Sequence, residues 1–199
     1  VEGEVGLPSF RSHFEVDLAF PYVRRMGPVA LIGVNSAVPT PPLIASGRVG
    51  AGQLERLAKI LTELGTAGNI RVVMIHHPPL PAAKASTRGL TDAAALEAVL
   101  VRHGAELLIH GHNHRDMLSW RSGPQGAFAL VGAASSSMGV AHKHEPLARY
   151  NIYRIRLTAG VPAIEVITRG IEAPESGVIG LRRRPLIGDW GSAMPRAMT

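Results

Sequence analysis

The sequence contains no cysteine, and this absence limits both its covalent chemistry and its metal chemistry. Disulfides and thiolate ligands are excluded, so histidine, aspartate, glutamate and asparagine are the side chains left for metal binding. No apolar run reaches 18 residues and no basic segment precedes an apolar stretch near Val1, so we expect neither a membrane span nor a signal peptide. The lack of cysteine fits a reducing cytoplasm, which is the location we expect.

Aromatic residues are also few, at 5% of the chain, although the formal net charge is +6. The basic residues are scattered and no aromatic residues interleave with them, so we do not expect a nucleic-acid partner. The exception is the run Arg182, Arg183 and Arg184, which lies in a segment without strong periodicity. We expect a single domain over residues 1–175, followed by an irregular, solvated basic tail over residues 176–199.

Hydrophobic periodicity predicts alternating strands and helices in the central part of the chain. Apolar runs predict buried strands at residues 29–35, 70–75 and 106–109. Leucines three and four residues apart predict a helix over residues 52–64, and a second helix is expected from a Thr91 cap to Gly104. This order indicates a parallel sheet with right-handed crossovers. Beyond it, four short strand-like runs without helices predict antiparallel strands of a second sheet, at residues 116–120, 127–131, 150–157 and 163–168.

Two histidine-rich segments directly follow predicted strands. The first reads IHHPPL from Ile75 and the second reads LLIHGHNHR from Leu107. Ligands of open α/β sheets bind outside the carboxyl ends of the strands, where both segments would lie. Imidazole is the commonest protein ligand of borderline metal ions, so the pattern predicts a metal site.

These two motifs, in this order and spacing, resemble the C-terminal half of the calcineurin-like metallophosphoesterases, in the branch that acts on cyclic nucleotides and glycerophosphodiesters. The resemblance covers roughly residues 29–170. It implies an α/β fold, the C-terminal part of a four-layer α-β-β-α sandwich, and two divalent metal ions (manganese, iron or zinc). It also implies hydrolysis of a small phosphoester, a phosphodiester if the chain follows that branch, with His76, His112 and His114 as metal ligands.

The family's other motifs, D-x-H, G-D-x-x-D and G-N-H-D/E, are not found in the sequence. Asp17 has no histidine two residues later, and Asn35 is followed by Ser36. A dinuclear site needs a carboxylate to bridge the ions and offset their charge. We therefore expect a fragment whose N-terminal strands and leaving-group histidine lie upstream, and which is inactive by itself, with no catalytic residue other than ligands in the present sequence.

Three alternatives stay open at this stage. One is a metallo-β-lactamase-like H-x-H-x-D-H run, which the residues Asn113 to Asp116 match poorly. Another is a mononuclear zinc hydrolase that uses the same three histidines and an open fourth position. The third is a phosphoesterase-like domain that binds a partner without catalysis. The number of metal ions per chain distinguishes these alternatives.

The remaining histidines receive weaker assignments. Strand alternation turns His77 and His110 away from their neighbouring ligands, so they are expected beside the site, with His77 in contact with the substrate. His142 and His144, which flank Lys143, lie in a predicted loop and are the other candidates for substrate contact. The oligomeric state is left open by the sequence.

Overall fold

The computed structural model of the chain describes residues 20–80, 87–140, 142 and 145–188. Its largest element is a six-stranded mixed sheet in the order β1-β2-β3-β4-β6-β5. The strands are β1 (Tyr22–Met26), β2 (Val29–Val34), β3 (Ile70–Ile75), β4 (Leu107–His110), β5 (Met117–Gly123) and β6 (Gly126–Gly132). The four inner strands are parallel and both edge strands are antiparallel, which confirms the predicted α/β class.

Two helices connect the inner strands and cover one face of this sheet. They are α1 (Ala51–Thr66) and α2 (Ala93–His103). The leucines that predicted α1 are buried against the sheet, at positions 54, 57, 61 and 64. The predicted cap of α2 is wrong: Asp92 occupies the N-cap position, and the hydroxyl of Thr91 instead donates to the Gly47 carbonyl at 3.0 Å. Neither helix is long and apolar enough to cross a membrane in the part of the chain that the structure describes.

A second sheet packs on the opposite face, in the order β7-β8-β9. Its strands are β7 (Arg149–Thr158), β8 (Val161–Gly170) and β9 (Ile179–Ile187). Buried residues of both sheets, among them Val72, Leu107, Ile164 and Val166, form the core between them. A further helical layer outside this sheet is not found within the described ranges, so the four-layer arrangement stays a prediction.

Two expectations about the C-terminal part are corrected. The strands predicted at residues 116–120 and 127–131 belong to the first sheet, where β6 lies parallel to β4. No helix is needed for this, because β5 carries the chain back along the sheet edge before the hairpin into β6. The segment expected to be an irregular tail contains β9, which is held in place by Leu186 in the inter-sheet core, 5% exposed. Residues 189–199 of that expected tail lie outside the described residues.

A buried arginine ties the helices to the sheet at the end opposite to the histidines. Arg71, near the start of β3, is 1% exposed, and its guanidinium donates to the Leu61 carbonyl in α1 and the His103 carbonyl in α2, at 3.1 and 2.9 Å. The carboxylate of Glu106 accepts from Nε at 3.1 Å and from Nη2 at 2.6 Å, and Gln125 Oε1 accepts from Nη2 at 2.9 Å. All five guanidinium donors are therefore satisfied.

Candidate metal centre

The two histidine segments meet because β3 and β4 are neighbouring parallel strands that end together. Ile75 pairs with His110 in register, so the chain leaves both strands at the same edge of the sheet. The loops remain in contact beyond the strands, where the Gly111 amide donates to the His76 carbonyl at 3.0 Å. The predicted convergence of the two segments is thus present in the fold.

The backbone of the second loop is unusual at two of its histidines. His112 and His114 have φ values of 68° and 51°, in the left-handed region that residues other than glycine seldom adopt. Such conformations persist only where the surrounding structure imposes them, and they occur often at functional sites. The loop therefore turns sharply at both of its histidines that the family resemblance names as ligands, His112 and His114.

His76 and His112 contact each other through their ring nitrogens at this edge. Nδ1 of His112 lies 3.1 Å from Nε2 of His76, and the two rings meet edge to face with centroids 5.1 Å apart. His112 is only 8% exposed, and its Nε2 is buried with no hydrogen-bond partner among the described residues. A buried polar atom without a partner is costly, and binding of a metal ion is one way to satisfy it.

Burial and the neighbouring rings keep this pair neutral. Burial first, and then the positive charge that His77 and His76 would carry, lower the pKa of His112 to about 4. The pKa of His76 is also lowered, by burial and then by His77 and His114. At pH 7 both imidazoles are therefore deprotonated, which is the form that ligates metals. The chemistry of this donor pair fits a divalent metal ion.

His114 lies nearby with a different partner. Its side chain is 44% exposed, and its Nδ1 is 3.2 Å from Oε2 of Glu145, whose own side chain is 28% exposed. No three ligating side chains converge into a metal site within the ranges that the structure describes. The structure thus brings His76 and His112 together and places His114 beside a carboxylate, while the three-histidine ligand set stays a prediction.

His77 is buried and bonded on both ring nitrogens. Nδ1 lies 2.8 Å from the Ser36 hydroxyl and Nε2 lies 3.1 Å from the Ala45 carbonyl, which can only accept, so Nε2 carries the proton. The loop approaches the ring closely at Gly47, where a Cβ would lie 2.4 Å from Nδ1. Both ring nitrogens of His77 therefore have protein partners in this structure, and the substrate contact that we predicted for it stays a prediction.

The other neighbouring histidines make backbone contacts or lie outside the described residues. His110 is 3% exposed, its Nδ1 lies 3.2 Å from the Gly111 carbonyl, and burial lowers its pKa. His142 is exposed and its carbonyl accepts from the Glu145 amide at 2.9 Å, which helps to fix Glu145. His144, the other predicted substrate contact, lies outside the described residues.

An open cleft of about 510 Å³ adjoins the pair. Its wall contains charged residues of both signs, and its lining is Arg88, His112, Asn113, Arg115, Asp116, Met117 and Glu145. Sequence reasoning missed Arg88 and Glu145. The only signal for Glu145 was its place at the end of the loop with His142 and His144, since no motif includes it. The cleft combines neutral imidazole, carboxylate and guanidinium groups, which suit a metal ion and a phosphate.

Comparison with known proteins gives a distant relationship. The chain matches no protein-family model. It is 35% identical over 96 residues to a protein of Synechococcus sp. (strain WH7803) described as a probable cyclic nucleotide phosphodiesterase, over 46% of this chain and 35% of that protein. The chain therefore spans about a third of the length of this relative. A solved dimetal phosphatase from Danio rerio is 14% identical, with a TM-score of 0.39 over 71% of this chain and 39% of that one. The sequence match supports a metallophosphoesterase-like relationship at low identity.

Proposed function

We propose that this chain forms part of a metal-dependent phosphoester hydrolase that acts on a small phosphodiester, in the cytoplasm. The observation that carries the proposal is the pair His76 and His112, two deprotonated imidazoles with ring nitrogens 3.1 Å apart at the ends of adjacent parallel strands. The buried, unpartnered Nε2 of His112 adds a ligating atom that the described protein groups leave unsatisfied.

In this proposal His76 and His112 hold one divalent ion, and His114 belongs to the site of a second. Bound manganese, iron or zinc ions would lower the pKa of a coordinated water and offset charge on the phosphoryl oxygens. The chain itself orients its ligands: Glu145 accepts from Nδ1 of His114, which leaves Nε2 of that ring as the ligating atom. Arg115 on the cleft wall contributes positive potential that favours a phosphate.

Metal binding to residues 1–199 tests the first part of the proposal. Titration with Mn²⁺ or Zn²⁺, followed by elemental analysis, should give metal bound to the wild-type chain and little to His112→Ala. His103→Ala is the matched control, because this histidine bonds the Thr62 hydroxyl at 2.9 Å on the helical face and does not line the cleft. Equal metal binding by both variants would show that His112 is not a metal ligand.

Metal content and activity together separate the alternatives. Two ions in the complete gene product, with hydrolysis of an aryl phosphodiester, support the dinuclear enzyme. One ion with hydrolysis supports the mononuclear zinc enzyme, and no ion supports a non-catalytic binding domain.

Substitution of Glu145, whose carboxylate the sequence analysis did not place at the site, gives a second test of metal binding. Glu145→Gln should weaken metal binding by about 10 to 100-fold, the usual cost of losing a carboxylate that orients a ligating histidine. Glu172→Gln, the same change at an exposed position, should leave the affinity unchanged. A Glu145 variant with wild-type metal affinity would show that the contact to His114 only stabilises the loop.

A further inference from the structure

The arginine run of the C-terminal strand is divided between the two faces of the second sheet. Arg182 and Arg184 pair in register with Thr168 and Val166 of β8. Val166 belongs to the core between the sheets, so these two arginines lie on the inner side. Arg183 lies on the outer side, where its Nη2 donates to the buried Glu165 carboxylate at 3.0 Å.

The two inner arginines border a small cavity between the sheets. Its volume is about 60 Å³, several times what one water molecule needs. Its polar lining is Asp116, Asn151, Thr168, Arg182 and Arg184. Asp116 and Met117 also line the histidine cleft, so the two spaces share a wall.

Positive charge exceeds negative charge at this cavity. Asp116 accepts from Nη1 of Arg149 at 2.8 Å, and its Oδ2 lies 3.9 Å from Nη2 of Arg182. Among the residues that line the cavity, one carboxylate, Asp116, is thus accompanied by two guanidinium groups, those of Arg182 and Arg184. The other polar side chains at the cavity are neutral and bond each other, since the Thr168 hydroxyl donates to Asn151 Oδ1 at 2.8 Å.

We propose that Arg182 and Arg184, which line the cavity together with Asp116, form an oxyanion-binding subsite next to the histidine cleft. Guanidinium groups bind carboxylate and phosphate oxygens by charge-assisted hydrogen bonds, and two on alternate residues of one strand point to the same side. The subsite takes a second anionic group of the ligand whose phosphoester lies in the cleft. That the group in the cleft is a phosphoester rests on the proposed function. The anion-binding site at Arg182 and Arg184 does not depend on it.

Binding of inorganic phosphate to the metal-free chain tests the subsite directly. Isothermal titration at low ionic strength, with chelator present, should show phosphate binding that the double variant Arg182→Gln/Arg184→Gln weakens about tenfold. Arg183→Gln removes the same kind of charge from the same strand on the outer face and should leave the affinity within about twofold of wild type. Acetate in place of phosphate shows whether the subsite prefers a phosphate or a carboxylate.

The lysine double variant Arg182→Lys/Arg184→Lys guards against a folding defect, because it keeps the charge and should retain most of the phosphate affinity. The proposal is overturned if the wild-type chain binds no phosphate, or if the folded glutamine double variant binds it normally. It is also overturned if the Arg183→Gln variant, shown to be folded despite losing its bond to the buried Glu165, is equally impaired. Hydrolysis with metal is measured separately. Hydrolysis without phosphate binding in chelator refutes the subsite alone, and phosphate binding without hydrolysis or metal uptake refutes the proposed function alone.

Discussion

Removing the carboxylate of Glu106 should destabilise the fold more than any exposed charge change. This carboxylate is the only anion bonded to Arg71 in the described part of the chain, with contacts at 2.6 and 3.1 Å, and it also accepts from the Arg71 amide at 2.6 Å. Glu106→Ala leaves a guanidinium that is 1% exposed without its counter-charge. Loss of one partner of a buried pair costs about 3–5 kcal/mol.

The local structure decides where in this range the cost should fall. The Glu106 side chain is 11% exposed, so water can reach part of the vacated space. The Leu61, His103 and Gln125 oxygens still accept from Arg71 and lessen the loss. We therefore expect the lower half of the range, about 3–4 kcal/mol. For a chain of this size this corresponds to a fall in melting temperature of roughly 6–16 °C.

Urea unfolding followed by far-UV circular dichroism measures this difference. Glu97→Ala is the matched control, because Glu97 pairs with Arg121 where both side chains are 26% exposed. Partly exposed pairs contribute about 0–1 kcal/mol. If Glu106→Ala cost no more than Glu97→Ala, the inference that Arg71 depends on a desolvated counter-charge would be wrong.

Three further predictions concern the site, a helix and the alkaline limit of stability. His112→Ala should abolish most metal binding in a calorimetric titration, whereas His110→Ala should weaken it by at most about 10 to 100-fold; equal loss would mean that the strand-end register assigns the ligands wrongly. Gly65→Ala should destabilise the chain by about 1–3 kcal/mol in thermal unfolding, because the new Cβ would lie 2.6 Å from the buried guanidinium of Arg71. Gly52→Ala is the control: its Cβ would make only an ordinary contact at 3.5 Å, so this change should be neutral or stabilising. Burial raises the pKa of Tyr153 to about 12, so the unfolded chain releases this proton near pH 10 while the folded chain keeps it. The free energy of unfolding should therefore fall between pH 10 and 12. A Tyr153→Phe variant whose free energy of unfolding falls with the same slope would contradict this.

The sequence predicted the central sheet well because each of its signals is local. The leucine spacing from Leu54 to Leu64 specifies an amphipathic helix, and continuous apolar runs such as Ile70–Ile75 specify strands buried on both faces. Alternation of these elements favours a parallel sheet, and a parallel sheet brings strand ends together at one edge. The meeting of His76 and His112 follows from these steps.

The pairing of β6 with β4 could not be read from the sequence. Strand propensity does not identify the partner of a strand, and the absence of a helix between them favoured an antiparallel arrangement. The structure instead uses β5 to reverse the chain at the sheet edge. The same limit applies to β9, whose arginines are typical of a solvated tail in the sequence, whereas in the structure Arg183 donates to Glu165 of β8.

What the sequence determined by itself is which side chains are available at the strand ends, because the absence of cysteine leaves imidazole and carboxylate groups there. Only the tertiary structure decided which groups surround it. Glu145 reaches His114 across 31 residues, and Arg71 reaches Glu106 across 35. Contacts at such separations depend on how sheets and loops pack in three dimensions, and no local pattern of residues encodes them.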